Sequence, residues 1–94
     1  MKLLLLEDDH TLALAVERAL RRAGFALDVV ATIADAEVAV TVASYDALVL
    51  DRMVPDGDAA RFVHERRLAG DPTPVLLLTG RDACLLYTSD AADE

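Results

Sequence analysis

The chain has 94 residues, enough for one small domain. Of these residues, 54% are hydrophobic, but only two are Phe and two are Tyr, so the core must be built from Leu, Val and Ala. A net charge of −8 argues against direct contact with nucleic acid, and the lone cysteine, Cys84, excludes a disulfide framework and a cysteine metal site. No apolar run reaches the roughly 18 residues of a membrane span and the N-terminus lacks a signal-peptide layout, so we expect a cytoplasmic protein without membrane contact.

The chain alternates between short apolar runs, which predict strands, and amphipathic segments, which predict helices. The strands are predicted at residues 2–6, 25–30, 47–50 and 75–78. The helices between them open at the N-cap residues Asp9, Thr32 and Asp58 and end near residues 24, 44 and 70. Asp28 interrupts the second strand, as suits a strand at a sheet edge. This alternation predicts an α/β fold, a doubly wound parallel sheet with right-handed crossovers and helices on both faces.

Three of the four predicted strands end in polar groups, namely Glu7-Asp8-Asp9, Asp51 and Thr79. The carboxyl ends of parallel strands meet at one edge, where ligands bind in open α/β sheets. Two like charges about 4 Å apart repel by roughly 4 kcal/mol at an effective dielectric of about 20. Such a cluster is therefore expected to hold a divalent cation or to keep one acid protonated.

Ligands that are all oxygen favour Mg²⁺, Ca²⁺ or Mn²⁺ over zinc, and a small set of carboxylates suits Mg²⁺ that retains waters and a phosphate. The hydroxyl of Thr79 is a donor suited to a phosphoryl oxygen. The pattern therefore predicts a Mg²⁺ and phosphate site with Asp51 as the candidate nucleophile.

Several other polar residues have simpler structural explanations. Asp9 and Asp58 are most simply helix N-caps, and Asp56 is most simply a turn residue between Pro55 and Gly57. His10 and His64 fall among polar residues on predicted helices, so we interpret them as surface histidines rather than ligands or phosphocarriers.

The motifs at these strand ends resemble the receiver domains of bacterial two-component response regulators, over residues 1–83. The opening strand with its acidic pair, the strand that ends at Asp51, the following Met53-Val54-Pro55 and the strand that ends at Thr79 occur in the family's order and spacing. The residues of these motifs most resemble those of regulators with a winged-helix DNA-binding output domain. The resemblance implies the flavodoxin-like receiver fold, with four of its five expected strands present.

The resemblance also implies a role for each matching residue. Asp51 would accept a phosphoryl group from a histidine of a sensor kinase, and Glu7, Asp8, Asp51 and the backbone carbonyl of Met53 would hold Mg²⁺. Thr79 would move toward the phosphoryl oxygen and pass the signal on. The chain would be a phosphoacceptor switch rather than an enzyme, although family members promote their own phosphorylation and dephosphorylation. The output domain would belong to the full-length protein. The resemblance also implies that the full-length protein can form a homodimer when it is phosphorylated.

The chain departs from the family at three positions. Ala59 stands where the family usually has glycine after the turn, and Gly80 stands where alanine usually follows the threonine. The family's lysine at the end of a fifth strand is absent. The sole lysine, Lys2, lies at the opposite end of the first strand, roughly 16 Å from the predicted site. Arg81 is near enough to be considered as a stand-in, but its planar fork is not a lysine's point charge.

The last eleven residues, 84–94, resemble the translation of a transposon-end sequencing adapter, so we predict a truncated receiver domain at 1–83 and a non-native tail. The alternative is a native loop and short helix. Without a fifth strand and two further helices, residues 75–78 are expected to form a bare apolar sheet edge.

Two other function classes compete with this interpretation. A receiver-like module that binds Mg²⁺ or a protein partner without being phosphorylated is favoured by the missing lysine. A phosphotransfer enzyme is the third hypothesis. A P-loop NTPase is excluded because the chain has no G-x-x-x-x-G-K motif, and a dehalogenase-type phosphatase would need an Asp where Met53 stands.

Overall fold

The computed structural model describes residues 1–78 and the backbone of residues 84–87. In chain order the elements are β1 (Lys2–Leu6), α1 (His10–Arg22), β2 (Ala26–Val30), α2 (Ile33–Val42), β3 (Ala47–Asp51), β4 (Met53–Val54), β5 (Gly57–Asp58), α3 (Ala59–Leu68), β6 (Val75–Leu78) and β7 (Cys84–Tyr87). The predicted strands and helices are all present. The helices end two residues before the predicted positions, at Arg22, Val42 and Leu68.

The main sheet has the strand order β2-β1-β3-β6-β7, and its first four strands are parallel. The chain starts in the interior at β1, adds β2 on one side, and then crosses to add β3 and β6 on the other. This confirms the doubly wound fold. The direction of strand addition reverses between β1 and β3, and such a switch point opens a crevice at the carboxyl ends of the two strands. β2, which carries Asp28, lies at the sheet edge as predicted.

The prediction of a bare edge at β6 was wrong. β7 pairs with β6 in the antiparallel direction, with Leu76 opposite Leu86. An unpaired apolar strand presents a row of free N–H and C=O groups, which any nearby segment of suitable composition can satisfy. The segment 84–87 does so here, so the sheet has four parallel strands and one antiparallel strand that the sequence did not predict.

Alternate residues of the strands face two separate apolar layers, because side chains along a strand point to opposite faces. On one face, α2 and α3 cover Leu4, Leu6, Leu48, Leu50, Val75 and Leu77, and Phe62 of α3 is the largest side chain buried there. On the other face, α1 covers Leu3, Leu5 and Leu27. Burying one such leucine contributes about 1.5–3 kcal/mol, so these layers fix the register that the site depends on.

The three helices begin at the predicted caps. The side chains of Asp9, Thr32 and Asp58 accept hydrogen bonds from the backbone N–H groups of Leu12, Asp35 and Ala60, at 3.1, 3.1 and 2.9 Å respectively. His10 and His64 are exposed on their helices, as predicted. Within residues 1–78 and 84–87, none of the helices has both the length and the hydropathy that crossing a bilayer requires.

Candidate functional site

The acidic residues that follow β1 and end β3 meet at the carboxyl edge of the sheet. Leu6 pairs with Leu50, so Glu7 and Asp51 extend side by side from neighbouring strands, and Asp8 follows directly. One carboxylate oxygen from each of Glu7, Asp8 and Asp51 lies within 4.8 Å of the other two. The parallel topology therefore brings together the three carboxylates that the sequence singled out.

The three acids differ in their access to solvent. Glu7 is 5% exposed, and its carboxylate accepts a hydrogen bond from the backbone N–H of Asp9 at 3.1 Å. Asp51 is half-buried and Asp8 is exposed. A ligand entering from solvent therefore meets Asp8 and Asp51 first, with Glu7 forming the floor.

Burial and mutual repulsion make this cluster electrostatically unfavourable when it is fully ionised. Burial raises the pKa of Glu7, and the charges of Asp51 and Asp8 raise it further, against the opposing hydrogen bond from Asp9. Burial also raises the pKa of Asp51, and Asp8 adds to the rise, while hydrogen bonds from Glu7 and from the backbone of Met53 oppose it. A nearby positive charge would therefore stabilise the ionised forms of Glu7 and Asp51.

The donor set fits a hard divalent cation. Three carboxylates supply only oxygen ligands, and their oxygens are close enough to share one ion. Mg²⁺ usually takes few protein carboxylates and keeps waters, which matches a cluster open to solvent on the side of Asp8. Met53 begins β4, and its backbone interacts with the Asp51 carboxylate. The use of its carbonyl as a ligand stays a prediction.

The sequence also made predictions about Thr79 and Lys2. Thr79 follows β6, together with Gly80 and Arg81, and these three residues lie outside the described part of the chain, so the switch role of Thr79 stays a prediction. Lys2 lies at the amino end of β1, as predicted. Its Nζ is 3.5 Å from the Asp28 carboxylate and 5.4 Å from the centre of the Tyr45 ring.

The loop after Asp51 contains a contact that the sequence did not predict. Asp56 is more than a turn residue, because its carboxylate binds the N-terminus of α2, 22 residues and more away along the chain. The positive φ in this loop belongs to Gly57, at +142°. Ala59, which stands where the family usually has glycine, is the fully buried first residue of α3. The Pro-Asp-Gly pattern signals the turn, but only the tertiary structure brings Asp56 to α2.

No family model matches the chain, but relatives and solved structures do. The chain is 44% identical over 82 residues to the swarming motility regulation protein RssB of Serratia marcescens. The alignment covers 87% of this chain and 37% of the relative. The chain is 36% identical over 83 residues to the transcriptional regulatory protein QseB of Escherichia coli O157:H7, covering 88% and 38%. The chain thus spans less than two fifths of the length of these curated relatives.

The fold is similar to those of solved receiver domains. The chain superposes on the receiver domain of the Francisella response regulator 1452 with a TM-score of 0.82 and 26% sequence identity. The match covers 87% of this chain and 68% of the other. Sequence and fold therefore point to the same family, and the fold is the flavodoxin-like receiver fold.

Proposed function

We propose that this chain, which belongs to the response-regulator family and has its receiver fold, accepts a phosphoryl group on Asp51 from a histidine of a sensor kinase. A carboxylate oxygen of Asp51 attacks phosphorus, the new P–O bond forms as the P–N bond to the imidazole breaks, and the imidazole leaves with the bonding electron pair. The product is an acyl phosphate on Asp51. The chain acts as a switch that is itself modified rather than as an enzyme with a separate substrate.

The observation that carries this proposal is the meeting of Glu7, Asp8 and Asp51 at the sheet edge, with ligand oxygens within 4.8 Å of one another. Glu7, Asp8 and Asp51 would hold Mg²⁺, with the carbonyl of Met53 as a further ligand. When bound there, Mg²⁺ supplies the positive charge that offsets the oxygens of a transferring phosphoryl group. The protein's own task is to orient Asp51 at the end of β3, half-exposed and therefore accessible to the donor.

The remaining roles follow from the family and from the relatives' names. We propose that Thr79 binds the phosphoryl oxygen and that the signal passes to a DNA-binding output domain in the full-length, cytoplasmic protein. QseB is named a transcriptional regulatory protein, which supports such an output. The charge of −8 supports contact with DNA through the output domain rather than through this chain. Phosphorylation of the full-length protein would favour a homodimer.

A second candidate function is a receiver-like module that binds Mg²⁺ or a protein partner without phosphorylation. One observation favours it: the sole lysine, Lys2, interacts with Asp28 and Tyr45 at the opposite end of β1. No lysine can therefore approach the phosphoryl group from within this chain. The two candidates differ only in whether Asp51 forms an acyl phosphate.

Incubation with a small phosphodonor and Mg²⁺ tests the proposal. We expect the intact mass to increase by one phosphoryl group, and hydroxylamine to remove it, as it does from an acyl phosphate. Asp51→Asn should abolish the labelling. Asp35→Asn is the matched control, since it removes one carboxylate from the exposed face of α2 and should label like the original chain. Labelling that survives Asp51→Asn contradicts the proposal, and Mg²⁺ binding without any labelling favours the second candidate.

A further inference from the structure

The loop that follows Asp51 is a short hairpin. β4 and β5 pair in the antiparallel direction, with Met53 opposite Asp58 and Val54 opposite Gly57. Pro55 and Asp56 form the two-residue turn at its tip. Asp51 is the last residue of β3 and one residue separates it from this hairpin, so the position of the hairpin sets the position of the Met53 carbonyl relative to the Asp51 carboxylate.

The base of the hairpin is fastened by contacts within the loop. The guanidinium of Arg52 donates to the Asp58 carboxylate at 3.2 Å, and the backbone N–H of Ala59 donates to the carbonyl of Arg52 at 2.6 Å. Asp58 also accepts from the backbone N–H of Ala60 at 2.9 Å, which ties the base to the start of α3. These contacts fix the base of the loop to the start of α3.

The tip is fastened to a different element. Asp56 Oδ1 accepts a hydrogen bond from the backbone N–H of Ile33 at 2.9 Å, and Oδ2 accepts one from Ala34 at 3.0 Å. These are the first two residues of α2, where backbone N–H groups lack partners within the helix and the helix dipole favours an anion. Both hydrogen bonds lower the pKa of Asp56, so the carboxylate is charged at neutral pH.

α2 has an N-cap of its own, which separates helix capping from anchoring of the loop. Thr32 Oγ1 accepts from the backbone N–H of Asp35 at 3.1 Å, as in an ordinary N-cap. Asp56 therefore adds two charge-assisted hydrogen bonds that join the α2 N-terminus to the hairpin. The side chain of Ile33 lies against the same turn, since its Cδ1 would be 3.5 Å from a Cβ placed on Gly57.

We propose that Asp56 is a positioning residue for the cation site, holding the hairpin so that the Met53 carbonyl stands beside the Asp51 carboxylate, ready to bind Mg²⁺. This inference rests on the proposed function, because it assumes the cation site formed by Glu7, Asp8 and Asp51. With the tip released, the cation would have to order the loop as it binds, and its affinity would fall. Residues that orient metal ligands typically change affinity by about 10- to 100-fold when they are replaced.

Mg²⁺ titration of the whole chain, followed by backbone amide chemical shifts in NMR, tests the proposal. We expect Asp56→Ala to raise the Kd for Mg²⁺ about tenfold, and Asp56→Asn, which keeps one acceptor oxygen, to raise it less. Thr32→Ala is the matched control. It removes the ordinary cap of the same helix but leaves the hairpin anchored, so its Kd should equal that of the original chain even though α2 is destabilised.

Phosphorylation gives a second readout. Asp56→Ala should need more Mg²⁺ for half-maximal labelling of Asp51, yet reach the original rate when Mg²⁺ is saturating. An unchanged Kd in both Asp56 variants overturns the positioning role while the proposed function stands. An equal rise in Asp56→Ala and Thr32→Ala also overturns it, because α2 stability alone would then explain the effect. If the original chain binds no Mg²⁺, the inference and the proposed cation site are both wrong.

Discussion

Among single residues, the acidic side chains of Glu7, Asp8 and Asp51 lower the stability of the fold when no cation is bound, and the same repulsion favours binding of a cation. Burial and like charge raise the pKa of Asp51, so its ionisation at neutral pH favours the unfolded chain. A group with a raised folded-state pKa contributes stability only at low pH, and that contribution is lost as the pH rises through the folded-state pKa. Replacement by a neutral isostere should therefore stabilise the protein when no cation is present.

We accordingly expect Asp51→Asn to raise the free energy of unfolding at pH 7 by on the order of 1 kcal/mol, the lower end of the range for like charges about 4 Å apart. Urea denaturation in the presence of a chelator measures this. Glu37→Gln removes the same charge from an exposed position inside α2 and should stay within about 0.5 kcal/mol of the original chain. If Asp51→Asn were the less stable protein without divalent cations, the repulsion we describe would be absent.

Tyr45 and Asp28 form a hydrogen bond away from the acid cluster, toward the opposite end of the sheet. The hydroxyl of Tyr45 donates to Asp28 at 2.6 Å, and burial together with this hydrogen bond raises the pKa of Tyr45 from 10.0 to about 12. Because the folded-state pKa is raised, the stabilisation is complete below pH 10 and is lost as the pH rises from about 10 to about 12. We expect Tyr45→Phe to cost about 1 kcal/mol at pH 8.

The difference in unfolding free energy between the original chain and Tyr45→Phe should shrink above pH 10. Urea denaturation of both proteins across this pH range measures it, and tyrosinate absorbance follows the ionisation directly. Asp28→Asn provides the control, because it removes the charge that holds the phenol proton and should move the pKa of Tyr45 back toward 10. A difference that stays constant up to pH 12 would contradict the assignment.

At the scale of elements, the sequence predicted what depends on neighbours along the chain. The strands β1, β3 and β6 can be recognised in the sequence as apolar runs because both faces of a central strand are buried. The caps Asp9, Thr32 and Asp58 are visible because a capping side chain acts within three residues of its own position. Parallel order then places Glu7, Asp8 and Asp51 at one edge, so the cluster's location needs no further information.

What the sequence did not predict depends on contacts between distant segments. Asp56 was interpreted as a turn residue, and its contact with Ile33 exists only because α2 and the hairpin pack at the same edge of the sheet. The strand β7 was missed for a related reason. Its pairing is set by the open edge of β6 rather than by a periodic pattern of its own.

At the scale of the whole molecule, β7 separates the apolar edge of β6 from solvent and from other molecules. β6 buries Val75 and Leu77 under α2 and α3, while Leu76 and Leu78 are half-buried on the opposite face. Without a neighbour, this strand would present both free backbone groups and apolar side chains, the combination that favours pairing between chains.

A chain ending at residue 83 should therefore self-associate where the 94-residue chain does not. Sedimentation velocity over a range of protein concentrations measures this, with growth of dimers or larger species expected only for the shorter chain. Adding Leu76→Lys to the shorter chain is the control, since a lysine on an edge strand opposes pairing and Leu76 lies outside the α2–α3 layer. A shorter chain that stays monomeric at every concentration would show that β7 is not what protects the edge, and that β6 is kept apart from other chains by its own half-buried side chains.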